Sequence, residues 1–546
     1  MHIRAFKQIH YLWHLNNNQT NQPMKTSTAQ LKSLLLATAV TFTALHATAQ
    51  QVQNASYPDD PARIELPIEE RGIIIEKTID NSNIYPGTSR KIKIYIPQQY
   101  DGKTPACLLV CLDGAVYYGM TTVMDNLIKS REMPVTIGVF IDPGVIKDKS
   151  GNVIRYNRSN EFDRTDGTFA RFIESEVLPL AESITLDDGR KITLSKSASD
   201  RAITGASSGG ICSFVAAWSR PDLFSRVYST VGTFVAMRGG NELPALIRKT
   251  EPKPLRIFLH DGENDAWNPL FGDWFEYNKL MESALNFAGY EYTYKWDRSN
   301  HNIRHGAMLF PDAMRWLWRN HPHAPKAGKS LNNMLSTVLL ENQGWQTANE
   351  IDNVFFQCNE NKKDFPKSCK ITSTIKLNNG NIYGCNAQGE IWLKRNGEKT
   401  IKLNTLPNAG STFAVYPDAS IIVQSEKASD WLIAYTVNDD GTLNNGEQFY
   451  WLHNVPNNSQ KGPCGMFFDT LGNLYTATDT GIQIADQNGR VRAILPSPEG
   501  NITGMKMNGN TLYISTDTGK LFVRQLATQA HNPTDKPVTP KSQGQG

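Results

Sequence analysis

One stretch constrains the fold more than any other. The strand-like run Arg201-Ala202-Ile203-Thr204 enters Gly205-Ala206-Ser207-Ser208-Gly209-Gly210, and a helix-like stretch, Ile211 to Trp218, leaves it and stops before Pro221. The bare G-x-S-x-G pattern is weak, with on the order of 0.2 chance matches in a chain of this length. Its context is far more selective, because strand, sharp turn and helix together expose a serine at the end of a sheet. Side chains at 205 and 209 would collide with the neighbouring strand or helix. The helix N-terminus beside Ser207 favours developing negative charge.

The sequence around this stretch alternates apolar runs with helical ones from about residue 60 to 325. Cys107-Leu108-Leu109-Val110-Cys111-Leu112 and Pro134 to Ile141 read as strands buried on both faces, joined by a crossover helix over 121–130. Arg256 to His260 and Tyr290 to Trp296 are further strands, and Phe310 to Trp318 is a closing helix. From about 332 to 526 the pattern becomes all-β, with short strands between Asn-Gly, Asp-Gly and Gly-Asn turns. Tyr383, Tyr475 and Tyr513 mark equivalent places in a loose repeat, which predicts four or five propeller blades. Pro322-His323-Ala324-Pro325 links the halves, and the polar residues 527–546 read as a flexible tail.

The N-terminus reads as a signal peptide over residues 1–49. Lys25 and Lys32 precede an apolar core from Leu34 to Leu45, and Ala47-Thr48-Ala49 supplies the cleavage site, with Met24 a candidate true start. Removing 49 residues that carry four Lys/Arg and no acid takes the chain from 546 residues at +3 to 497 near −1. Without a broad basic field, a nucleic-acid partner is not expected. No later apolar run is long enough for a stable membrane span. The expectation is a periplasmic or secreted protein.

A nucleophilic serine requires a base, and the base an orienting acid. Past the strand at 256–260 the chain reads Asp261-Gly262-Glu263-Asn264-Asp265, and past the strand at 290–296 it carries His301 and His305. Asp265 is favoured over Asp261, and His301, nearer the strand end, over His305. The oxyanion donors are expected to be the N–H of Ser208 and one from Asp113-Gly114-Ala115, with Ala115 preferred to Gly114. Tyr117, Tyr118 and Trp267 are candidate aromatic contacts on the same face. Arg155 and Arg158 are candidates for an acidic substrate group or a salt bridge. Cys358 and Cys369 are disulfide candidates, and Cys107, Cys111 and Cys212 are expected to be buried thiols.

These residues resemble the enterochelin esterase-like, esterase D type of α/β-hydrolase, a group that includes carbohydrate esterase family one. Leu112-Asp113-Gly114, Gly205 to Gly210, Asp261 to Asp265, and His301 with His305-Gly306 carry the likeness, as do Asn157-Arg158-Ser159 and Pro311 to Trp318. The resemblance implies Ser207, Asp265 and His301 as a triad in an α/β-hydrolase domain. The second half resembles the senescence marker protein/gluconolactonase propellers through Gly462 to Asp469, Gly472-Asn473-Leu474-Tyr475 and Thr480 to Ile484. In that family a Glu, an Asn and an Asp hold a metal; here Cys464 stands at the Asp position and Ser411 at the Asn position. The expected function is a cofactor-free serine esterase that removes acetyl or feruloyl groups from plant-type polysaccharides, on a small-molecule or polysaccharide ester. The alternatives are a metal-dependent sugar lactonase in the propeller, or a non-catalytic carbohydrate-binding protein.

Overall fold

The computed structural model describes residues 57, 59–114, 119–348, 360–453, 463–478 and 481–544. The signal-peptide stretch, Ala115, Tyr117, Tyr118 and Cys358 lie outside the described residues.

A ten-stranded sheet forms the first half. Its strands are β1 (Ile73–Asp80), β2 (Ser89–Ile96), β3 (Cys107–Leu112), β4 (Thr136–Ile141), β5 (Val145–Lys147), β6 (Val153–Tyr156), β7 (Arg201–Ala206), β8 (Arg226–Thr230), β9 (Arg256–Gly262) and β12 (Glu291–Asp297). A separate hairpin, β10 (Trp267–Asn268) with β11 (Gly272–Asp273), lies between β9 and β12 in the chain. The spatial order is β12-β9-β8-β7-β3-β4-β2-β5-β6, with β1 on β2, and the six strands from β12 to β4 are parallel.

The sequence explains this burial. Leu108, Val110 and Leu112 enter one apolar cluster, while Cys107, Leu109 and Cys111 enter the one on the opposite face. A strand covered on both faces needs a continuous apolar run. Helix Ser208–Ser219 covers the first face, and Met120–Lys129 with Phe310–Trp318 covers the second. The chain winds from β3 to β4 towards one edge, then from β7 to β12 towards the other. The carboxyl ends of β3 and β7 therefore flank the crevice where such sheets place their sites.

Four antiparallel sheets of four strands follow, as blades of a propeller. The second strand of three blades carries Tyr383, Tyr475 or Tyr513, each one residue after the strand's first or second position. The hairpins before these strands turn through a left-handed residue: Gly380 at φ +87°, Gly472 at +81° and Gly509 at +57°, with Ala419 at +63° in the remaining blade. The ring closes because Gln346–Thr347, from the start of the region, pairs with Leu521–Gln525 from its end. Residues 527–544 depart from the expected flexible tail, since they lie across the blades. Ala527 donates to Val338 O (2.9 Å), Asn378 to Pro533 O (2.9 Å) and Val538 to Pro417 O (3.0 Å). These are backbone bonds, which polar composition neither requires nor forbids.

The propeller docks on helix Leu243–Lys249 and the residues after it. Arg524 grips Glu251 with two bonds (2.6 and 2.7 Å), and Glu251 N donates to Ile494 O (3.0 Å). Asn332 Nδ2 donates to both Arg248 O (3.1 Å) and Arg492 O (2.8 Å). Lys249 Nζ lies 2.7 Å from His453 Nε2. Burial, with the Lys249 charge beside it, lowers His453 to about 4.

Three outcomes follow for stability. Alanine is strained in the left-handed region whereas glycine is not, so Ala419→Gly should stabilise by about 0.5 kcal/mol after its cost in unfolded-chain entropy. Gly380→Ala, where an added Cβ meets nothing within 4 Å, should destabilise by ~1 kcal/mol through φ alone; thermal unfolding reads both. His453 is held neutral in the fold, so its contribution is complete above pH 6.5 and is lost as pH falls through about 4. The apparent Tm should drop over that window, and less steeply in His453→Gln.

Candidate active site

The turn after β7 is built on close approach. A Cβ on Gly205 would lie 2.5 Å from Gly209 O, so the strand end and helix start touch backbone to backbone. Ser207, between them, has φ +58° and ψ −121°. This costly conformation is held by Ser207 N donating to Thr230 O (2.9 Å) and by Gly210 N and Thr233 N donating to Ser207 O (2.9 and 3.1 Å). Ser208 opens the helix Ser208–Ser219, so its N–H has no carbonyl four residues back within that helix.

His301 Nε2 lies 2.9 Å from Ser207 Oγ, and His301 Nδ1 lies 2.6 Å from Asp265 Oδ1. The loops that carry acid and base are laced together. Asn264 N donates to Ser299 O (2.9 Å), Asn264 Nδ2 to Arg298 O (2.8 Å) and Glu263 N to Asp297 O (2.6 Å). Gly262 is required there, since a Cβ would meet Ser299 O at 2.3 Å. His305, the competing base, sits in helix Ile303–Met308 and does not reach Ser207; its Nδ1 lies 3.3 Å from Asp297 Oδ2. Asp297 also takes a bond from Tyr57 and contacts His260 Nε2 at 2.9 Å, making a buried cluster under the loop.

Asp261, the competing acid, has a different place. Its Oδ1 accepts from Gly262 N (2.8 Å), and its carboxyl bonds that of Asp265. The Oδ2 atoms of both are buried, and no N–H or hydroxyl reaches either one. Burial, then the hydrogen bond and charge of Asp265, push Asp261 well above the usual carboxylate range. Burial also opposes ionisation of Asp265, yet the bonds from His301 and Asp261 hold it below that range. Two neighbouring carboxyls with affinities pushed apart are one acid and one carboxylate. Asp261 keeps the proton and donates it; Asp265 carries the charge that faces His301.

Two contacts went unread in the sequence. Thr233 Oγ1 lies 3.2 Å from Ser207 Oγ and accepts from Trp274 Nε1 (3.2 Å), while the Trp274 ring meets His301 edge-on at 6.0 Å. With the indole N–H on one lone pair of the Thr233 oxygen, the threonine proton can point at Ser207, which leaves the serine's own proton for His301. The available signal was position: Thr233 follows β8 and Trp274 follows the Asp265 loop, both beyond carboxyl ends of strands.

On the other side of Ser207, Asp113 and Gly114 follow β3 at φ +64° and +57°. Arg158 binds the Asp113 carboxylate with two bonds (2.6 and 2.8 Å) and reaches Ala206 O at 3.3 Å. Arg158 is thus committed to a salt bridge that ties the β3 loop to the elbow, and Arg155 lies on the exposed β6. Trp267 is 69% exposed on the hairpin after Asp265. Cys107, Cys111 and Cys212 are buried, as expected. Cys464 is exposed, with Sγ 3.4 Å from Ile502 O.

Residues 82–312 match the family model described as "Putative esterase". The first half is an esterase-type α/β domain. No curated protein matches the chain. Among solved structures, it is similar to the enterobactin esterase from Shigella flexneri in the presence of 2,3-dihydroxy-N-benzoyl-serine, at 20% identity over 47% of this chain and 62% of that one, TM-score 0.36. It is also similar to a ferulic acid esterase (16% identity, 46% of this chain and 98% of that one, TM-score 0.35) and to the feruloyl esterase module from Clostridium thermocellum complexed with sinapinate (14%, 49% and 96%, TM-score 0.35). The chain thus spans about three fifths of the length of the enterobactin esterase.

The carboxyl pair can be tested by unfolding. Asp261→Asn retains an N–H for the buried Asp265 oxygen and should unfold within about 1 kcal/mol of the parent. Asp261→Leu leaves that oxygen with no donor and should cost ~1–3 kcal/mol.

Proposed function

We propose that the protein is an exported serine carboxylic-ester hydrolase acting on acyl esters of plant-type polysaccharides, acetyl or feruloyl. The observation that carries the reading is the hydrogen-bonded series Ser207–His301–Asp265 in the crevice of an esterase-family domain. Ser207 Oγ attacks the ester carbonyl while His301 Nε2 takes its proton, and Asp265 holds the Nδ1–H and stabilises the imidazolium. The tetrahedral oxyanion is stabilised by the N–H of Ser208 and by the loop at Ala115, with the serine's bent backbone already aimed. His301 returns the proton to the leaving alcohol, leaving an acyl-serine. A water activated by His301 then adds to the acyl carbon, and the acid departs as Ser207 recovers its proton. None of these steps calls on a cofactor.

Support for a bulky ester comes from the rim. His301 is 32% exposed, and the hairpin beside it presents Trp267 and Leu270 (69% and 80% exposed) to solvent. Such an open apolar edge suits a planar acyl group or a sugar face. Among the described residues, no helix is long and apolar enough to cross a membrane.

Hydrolysis of p-nitrophenyl acetate and methyl ferulate, with and without EDTA, tests the reading. Ser207→Ala should lose ~10³-fold or more in kcat on both esters, and EDTA should change nothing. Trp267→Ala should raise KM for the ferulate about 5- to 10-fold, equivalent to ~1 kcal/mol of aromatic contact, and leave the acetate unaffected. Full activity in Ser207→Ala would overturn the assignment, and loss of activity with EDTA would favour a metal-dependent lactonase.

A further inference from the structure

The amino ends of the same strands carry a second set of reactive side chains. Cys107 opens β3, Asp200 immediately precedes β7, and His321 follows helix Phe310–Trp318. Each offers one donor atom to a common point. Cys107 Sγ lies 3.6 Å from His321 Nε2, His321 Nε2 lies 2.9 Å from Asp200 Oδ1, and all three atoms fall within 4.8 Å of one another. Among the described residues this is the one place where three such donors converge.

The arrangement does not suit a cysteine nucleophile. There the acid would bind one imidazole nitrogen and the thiol the other, whereas here thiol and carboxylate both address Nε2. Convergence on one side of the ring is instead what a shared cation needs. With bonds of ~2.0–2.3 Å, tetrahedral zinc sets neighbouring S and N donors about 3.6 Å apart and N and O donors about 3.3 Å apart. The observed separations meet the first value and fall a few tenths of an ångström short of the second.

The surroundings fix the donors. Asp200 Oδ2 accepts from Ser195 Oγ (2.6 Å), which leaves Oδ1 towards His321. The His321 ring packs edge-on against Trp318 at 5.5 Å, and Cys107 N donates to Val135 O (3.0 Å) within the sheet. Supporting bonds of this kind orient ligands. The nearby Arg226 guanidinium is committed to Ser199 O (2.9 Å) and to the carbonyls of Leu317 and His323. His321 also lines a cavity of about 490 Å³ bounded by Met133 to Val135 and Trp318 to Asn320.

We propose that Cys107, Asp200 and His321 form a binding site for a zinc-type divalent cation. The sulfur and nitrogen donors exclude a magnesium or calcium preference. A metal-bound cysteine is a thiolate, so binding replaces S–H by S–metal and the thiol proton leaves to solvent, one per ion. The site lies at the opposite ends of β3 and β7 from Ser207, roughly 20 Å away along a six-residue strand, so ester hydrolysis should be indifferent to it.

Cobalt titration of the metal-free full chain is the test, read through the thiolate-to-cobalt charge-transfer band, which the histidines of the N-terminal segment cannot produce. One equivalent is expected, with one proton released. Cys107→Ser should abolish the band, and His321→Gln and Asp200→Asn, at half-exposed positions, should weaken binding at least tenfold. Cys358→Ser/Cys464→Ser should retain it. Zinc should raise the Tm of the parent but not of Cys107→Ser, with p-nitrophenyl acetate hydrolysis unchanged in both. Absence of the band in the parent, or its survival in Cys107→Ser, would overturn the proposal. Should Cys107→Ser fail to fold, binding unaltered in His321→Gln would do the same.

Discussion

The reversal of the chain at Ser207 depends on two missing side chains, and the rest of the active crevice depends on that reversal. Gly205 and Gly209 allow the end of β7 to lie against the first turn of the helix, with the would-be Cβ of residue 205 only 2.5 Å from a carbonyl oxygen. Ser207 is thereby forced to φ +58° and out of both strand and helix. Such strain persists only where surrounding bonds over-determine it. Here Thr230 O, Thr233 N and Gly210 N all hold the Ser207 backbone. The same turn brings Gly209 to the Asp113 carboxylate, which Arg158 fastens to Ala206 O. Elbow and β3 loop are thus one clamped assembly beside the crevice.

The second constraint is electrostatic. Asp265 must stay ionised although its side chain is fully buried, and an isolated carboxylate there would take up a proton. The bond from His301 lowers its affinity, and the neutral carboxyl of Asp261 supplies a second donor on the buried side. Replacing water by a carboxylic acid gives a donor that is fixed in direction and adds no net charge. Asp261 is the sixth residue of β9 and thus rigid, whereas Asp265 sits in the loop beyond it. The strand therefore sets the geometry of the loop, and the laced contacts of Asn264 and Ser299 carry it to His301.

How much of this was legible follows from which properties are local. Strands β3, β4, β7 and β9 were readable because a strand buried on both faces must be apolar throughout, and the helix Phe310–Trp318 because its pattern is amphipathic. Ser207 was readable because its glycines serve backbone geometry within five residues. His301 could be ranked over His305 only by nearness to the strand end, a criterion that for the acid favours Asp261, because the lacing of the two loops joins residues some 35 positions apart in the chain. Thr233 and Trp274 carried no motif, only a position beyond strand ends: a threonine and an apolar helix residue meet the Ser207 turn only when β8 and β9 bring their loops together. Ring closure by Gln346–Thr347 and the ordered tail rest on backbone bonds and were equally silent.

The propeller meets the α/β half before β9, at the end opposite the loop of Asp265. Its contacts fall on the last turn of helix Leu243–Lys249 and the start of the connection to β9, where Asn332 donates to Arg248 O, Thr250 bridges Ile494 and Arg524 holds Glu251. That connection runs through Lys253, packed on the Trp218 ring, and buried Leu255 into β9, which carries Asp261 at its far end. A slip of one residue along a strand turns every side chain to the other face. Asp261 would then leave Asp265. Parallel pairing with β8 and β12 resists this from either side, and the Arg524–Glu251 pair, with Arg524 almost wholly buried, resists it from the entry. The blades thus touch the α/β half at the entry to the strand whose far end carries Asp261.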